Sequence, residues 1–160
     1  MQSAPYQSTV SAINKQIDTF NSFLDCSRHV AHIDLSRPET SAWIEDNSLW
    51  GRSSWPCKDS YGVYFLAGHR IDQPTGIGLY IGKASFSKRI GHRVWHHLNH
   101  GKVSRRYTKM APDGSPFRIQ MLFAVPMPSD DMGAFAPALE EHLINTFKSQ
   151  LYLLNRVGNK

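Results

Sequence analysis

Cysteine is scarce in this chain. The two present, Cys26 and Cys57, lie 31 residues apart. That is neither a disulfide framework nor a CxxC metal pair, so two free thiols in a reducing compartment are expected. Long apolar runs are missing too: none approaches the roughly 20 residues that span a bilayer. The opening Met1-Gln2-Ser3-Ala4-Pro5 lacks the basic-then-apolar shape of a signal peptide. A membrane partner is thereby set aside, and a cytoplasmic or nucleoid-associated protein is expected. Internal repeats and low-complexity tracts are absent. A local absence is the most telling: between Lys83 and Lys109 there are eight basic residues and no acidic one.

What is present fits a globular chain. At 160 residues with 41% apolar content, one domain with a proper core is expected. The charge is uneven: residues 1–60 carry a net −2 (five Lys/Arg, seven Asp/Glu) and residues 61–160 a net +7 (thirteen against six). Uncompensated positive charge on one surface favours a polyanion, and nucleic acid fits better than acidic lipid because no large apolar anchoring face accompanies it.

Hydrophobic spacing gives the elements. Val10, Ile13, Ile17, Phe20 and Leu24 predict a helix over 8–25, with Ser8 as its N-cap. Residues 34–60, with Pro38, Pro56, Trp43, Trp50 and Trp55, read as irregular chain stapled down by its aromatics. Residues 62–67 and 77–82 predict two strands joined by Asp72-Gln73-Pro74-Thr75-Gly76, turn chemistry that makes an antiparallel hairpin. A helix is expected over 87–99, a third strand over 117–125, a helix over 135–148 and a closing segment over 151–155. The predicted fold is mixed α/β of the α+β type. It has a small central antiparallel three-stranded sheet flanked by helices, and residues 1–60 form a helical and irregular extension to a domain over 61–160.

Two helices carry candidate chemistry. On 87–99, Arg89, Arg93, His96 and His100 fall within about 60° of one another, with Ile90, Val94, Trp95 and Leu98 opposite. Arginine suits phosphate because its planar fork holds two oxygens at once. His92 and His96 have the i, i+4 spacing of helical zinc ligands. No Glu follows His92 in the HExxH manner, and the cationic surroundings disfavour a further divalent ion. On the later helix, Glu140 lies at the margin of the Ala136, Leu139, Leu143 and Phe147 stripe, whereas Glu141 points to solvent. A carboxylate at a buried margin calls for a metal or an ion-pair partner, and both stay open.

Gly62-Val63-Tyr64, Tyr80-Ile81-Gly82-Lys83-Ala84, Lys88-Arg89-Ile90, Leu139-Glu140-Glu141-His142-Leu143-Ile144 and Leu154-Asn155, in that order, resemble the GIY-YIG nuclease superfamily. The resemblance implies hydrolysis of DNA phosphodiesters with one divalent metal, magnesium or alternatively manganese. It further implies Tyr64 as the residue beside the attacking water, Tyr80 lining the same pocket, Arg89 on the scissile phosphate, Glu140 as the metal ligand, Asn155 steadying the site and Lys83 facing phosphate. The Tyr80–Arg89 step is shorter than the family's usual spacing, so Arg93 is the rival arginine. The family often places His or Tyr one turn after its arginine, with His92 and His96 the neighbours here. Lys88, Lys102, Arg105, Arg106 and Lys109 are the expected DNA contacts, the basic stretch 99–109 a candidate reading loop, and a homodimer is plausible for cutting two strands. A non-catalytic DNA-binding module on the same fold is the alternative.

Overall fold

The computed structural model describes residues 4–44, 55–99, 103–104 and 108–155. Helix α1 (Ala4–Asn21) is followed by a short 3-10 turn (Cys26–Arg28) and strand β1 (Ser41–Trp43). Then come β2 (Gly62–Arg70), β3 (Ile77–Ala84), α2 (Ile90–Asn99), β4 (Val103–Ser104), β5 (Thr108–Met110) and β6 (Pro116–Pro126). A second 3-10 turn (Asp130–Phe135), α3 (Ala136–Phe147) and β7 (Tyr152–Leu153) close the described chain. No helix is long and apolar enough to cross a membrane.

The mixed α/β fold and the helical N-terminus are as expected, but the sheet is larger than three strands. Among the described residues it has seven, ordered β4-β5-β6-β2-β3-β7, with β1 on the free half of the long β6. Every pairing is antiparallel except β3 with β7. The strands missed are two or three residues long, too short to show a period of two.

β2 is the central strand and is buried from Gly62 to Gly68. It pairs with β3 so that Tyr64 faces Gly82 and Leu66 faces Tyr80, and with β6 through a register shift at Ala67/Gly68. Such a bulge bends the strand and increases its twist. Alternation sends Val63, Phe65, Ala67, Leu79, Ile81 and Phe123 to one face, under α1 and α3. Tyr64, Leu66, Ala84, Leu122 and Ala124 go to the other, under Ile90, Val94 and Leu98 of α2.

Helix α1 starts before Ser8, which lies inside it rather than capping it, and ends at Asn21. The reason is downstream. The Asn21 side chain accepts from Val30 N at 2.8 Å and donates to Val30 O at 2.9 Å. Asn14 does the same to Ile33, both at 2.8 Å. Two amides thus tie the extended return segment to the helix, and Tyr6, Val10, Ile13 and Ile17 are buried in the core of the sheet. Within the stretch expected to be irregular, β1 pairs Ser41 with Phe123 and Trp43 with Met121. Trp43 packs edge-on to Tyr6 at 5.9 Å and Trp55 is buried; Trp50 lies outside the described residues.

Candidate active site

The two glycine-edged blocks form adjacent strand segments, and the glycines are there for space. A Cβ on Gly82 would fall 2.5 Å from Tyr64 Oη, so the Tyr64 ring lies across the Gly82 backbone. A Cβ on Gly62 would run into the Val125 carbonyl of β6. Tyr64 is fully buried and Tyr80 half-buried. Their ring centroids are 6.3 Å apart, close enough for each phenol to influence the other's pKa. Burial, the largest cause, pushes Tyr64 well above its ordinary 10.0. Tyr80 is also raised, first by burial and then by Glu140, against the pull of Arg93. At neutral pH both phenols keep their protons.

A cleft of about 810 Å³ opens at the outer edge of β3, where Tyr80, Lys83, Arg93, Glu140 and Asn155 come together. Glu140 reaches it from α3 with its side chain only 17% exposed, and its Oε2 pairs with Lys83 Nζ at 3.0 Å. The carboxylate thus has an ion-pair partner, the Lys83 ammonium. Glu141 on the next position is exposed, as expected. Arg93 Nε donates to the Lys83 carbonyl at 3.3 Å. Asn155 accepts from Ile81 N at 2.9 Å and donates to Ile81 O at 2.7 Å, so one carboxamide continues the edge pairing that β7 begins at Gly78 and Leu79. On the far rim Tyr152 donates to Asp113. That bond, with help from Ser115, holds the Asp113 carboxyl down to about 2.

Arg89 is not in this cleft. Helix α2 begins at Ile90, so Arg89 precedes it and points elsewhere. Its guanidinium donates to both Asp130 oxygens, at 2.8 and 3.2 Å, and stacks on the Tyr61 ring at 3.8 Å. The Asp130 bond raises its pKa and lowers that of Asp130. The cationic stripe is therefore broken: Arg89 faces Asp130, Arg93 faces the cleft and His96 is exposed on α2, as is His92 beside the stripe. Trp95, placed on the apolar side by spacing, is 38% exposed.

Two groups went unrecognised in their roles. His97 stacks edge-on against Tyr80 at 4.4 Å and Tyr64 at 6.1 Å. Its signal is in the sequence, since it lies one helical turn after Arg93. Lys109 was expected on a solvated DNA-reading loop. Instead it lies on β5, 3% exposed, with Nζ 4.2 Å over the Tyr80 ring. Lys109 pairs with Phe117 of β6, whose side chain belongs to the core on the α2 face, and a three-residue strand is too short to announce that in the sequence. Lys88 is exposed; His100, Lys102, Arg105 and Arg106 lie outside the described residues.

No family model, curated protein or solved structure matches this chain. The site must be read from its own chemistry. Among the described residues no three His, Cys, Asp or Glu side chains converge on one point. Glu140 is a hard oxygen donor at the margin of a cleft that also presents three cations, Lys83, Arg93 and Lys148, while the other carboxylate of the lining, Asp113, is held by Tyr152 on the far rim. A lone carboxylate of that kind suits a divalent ion held jointly with substrate phosphate and water, not a resident all-protein cage.

Proposed function

We propose that this chain is a metal-dependent DNA endonuclease of GIY-YIG type, with Arg93 in the role first expected of Arg89. The observation that supports it is convergence. Tyr80 and Lys83 from β3, Arg93 from α2, Glu140 from α3 and Asn155 after β7 line one cleft, although 75 residues separate the first from the last. With Arg93 as the arginine, His97 falls one turn later, where the resembled family carries its histidine.

The parts divide as follows. Arg93 neutralises charge on a nonbridging phosphate oxygen as it builds up in the transition state. Lys83, released from Glu140 when the phosphodiester enters, meets a second oxygen. Glu140 would hold a divalent ion, which when bound would polarise the phosphoryl group and lower the pKa of an attached water. Tyr80 is the phenol that reaches the cleft. Its raised pKa makes it a positioner of the attacking water rather than a standing base. Tyr64, behind it, fixes its orientation. Asn155 holds the β3 edge on which Tyr80 and Lys83 are mounted.

Nicking of supercoiled plasmid in magnesium, lost in EDTA, tests the reading. One observation favours a second reading: the Lys83–Glu140 pair at 3.0 Å already satisfies the carboxylate. A non-catalytic DNA-binding module would bind plasmid equally with and without EDTA and cut under no divalent metal.

A further inference from the structure

The loop between β3 and α2 springs from the cleft. Lys83 and Arg93 stand at its two ends, joined by the 3.3 Å hydrogen bond across its base. At its tip, Phe86 has φ of 63° and is 72% exposed. Both features are unfavourable for a bulky apolar residue: its Cβ crowds the backbone in the left-handed region, and the ring gains nothing from burial. Strain of this kind persists only where the surroundings over-determine it.

The restraints are identifiable. The Tyr61 hydroxyl donates to the Phe86 carbonyl. Arg89 lies over the Tyr61 ring and is clamped by both oxygens of Asp130. On the other side the Tyr61 ring packs against Gly133, where a Cβ would meet it at 2.7 Å. Residues from three separate segments thus hold a strained turn whose outward product is an aromatic ring in water, beside exposed Lys88 and three residues along the chain from Lys83, which lines the cleft.

We propose that Phe86 is a base-stacking residue, and that it gives the site a preference for DNA with an unpaired or unstacked base next to the phosphodiester in the cleft. This rests on the DNA-cleavage reading above. An aromatic face with flanking cations is the combination that binds a splayed base together with its backbone. A fully paired duplex stacks its bases on one another and offers no free face, so the ring must either wedge between them or go unused. Arg89 is then a positioning residue, holding Tyr61 and through it the Phe86 carbonyl.

The test is fluorescence anisotropy in EDTA with two labelled duplexes, one fully paired and one with a short central bubble. Wild type binds the bubble more tightly. Phe86→Ala loses about tenfold on the bubble, the scale of one base–aromatic stack, and under about twofold on the paired duplex. Phe86→Trp keeps the preference, and its fluorescence is quenched by the bubble. Phe86→Gly suits the left-handed backbone, so it melts higher than wild type while losing the preference, which separates binding from folding. Equal losses on both duplexes, or no loss, overturn the stacking role. Because binding in EDTA needs no cleavage, the two readings fail separately. Absence of magnesium-dependent nicking with the Phe86 effect intact removes the nuclease and leaves the stacking. Nicking with wild-type-like discrimination in Phe86→Ala removes the stacking alone.

Discussion

On the face of the sheet that carries α1 and α3, Val63, Phe65, Ala67, Leu79 and Ile81 meet side chains that are almost entirely apolar. On the opposite face, alternate residues of the same two strands meet α2, and the sequence of contacts becomes Tyr64, Tyr80, His97 and Lys109. Both faces are buried and both are close-packed. They differ in what a substitution removes. The first face contributes mainly transfer free energy and packing. The second commits part of its interior to groups that must stay hydrogen-bonded or charged to be tolerated there. A fold that builds one face for cohesion can hold chemistry on the other.

The comparison breaks most sharply at Glu140. Glu140→Ala should reduce nicking by about a thousandfold, the scale of losing one preorganised electrostatic group. Gel-shift affinity in EDTA and the melting temperature should stay near wild type, and Glu141→Ala should stay active. Equal losses from the two glutamates would remove Glu140 from the site. The cohesive face should give the converse result: Phe65→Ala costs about 3–5 kcal/mol of stability in urea unfolding, with unchanged activity per folded molecule.

Next in size is the pair of arginines. Arg93→Ala should lower turnover by about a hundredfold with little change in melting temperature. Arg89→Ala should leave cleavage of paired plasmid largely intact and lower the melting temperature slightly, because its partners are Asp130 and Tyr61. The reverse ranking would return the catalytic role to Arg89.

Alkaline pH sharpens the comparison from another direction. Tyr6 on the apolar face is pushed up to about 12 by burial, and Tyr64 and Tyr80 are raised on the other. A tyrosine whose folded pKa exceeds its unfolded value contributes stability that is complete below the unfolded pKa. That stability is lost as pH climbs through the folded one. The protein should therefore lose stability above pH 10, and Tyr64→Phe or Tyr6→Phe should move the alkaline unfolding midpoint upward in circular dichroism. A midpoint unmoved by both would mean that neither phenol drives base unfolding.

Long, periodic elements were legible in the sequence. The stripes of α1 and α3 and the alternation of β2, β3 and β6 each repeat often enough to declare a face. That is also why Glu140 could be told from Glu141. The β3–α2 connection was not legible, because the turn at Phe86 adopts a conformation that phenylalanine does not advertise. Its phase decides whether Arg89 or Arg93 meets the tyrosines. Because α2 begins at Ile90, Arg89 lies ahead of the helix against Asp130, while Arg93 lines the cleft and His97 packs on the two tyrosines. Lys109 was unreadable for a different reason, since its burial depends on pairing with β6 and on the Tyr80 ring of a strand distant in sequence.

The three asparagines that grip a neighbouring backbone, Asn14, Asn21 and Asn155, each act as a strand one residue long. Asn155 does so at an outer margin of the sheet, where the remaining donors and acceptors of β3 would otherwise face solvent. Asn155→Ala should cost about 1 kcal/mol for the lost hydrogen bonds. An unpaired strand edge invites pairing with another chain. A carboxamide there satisfies Ile81 without extending the ladder, so growth of the sheet stops within the molecule. Closed in this way at Ile81, the β3 edge offers a second strand one donor and one acceptor fewer.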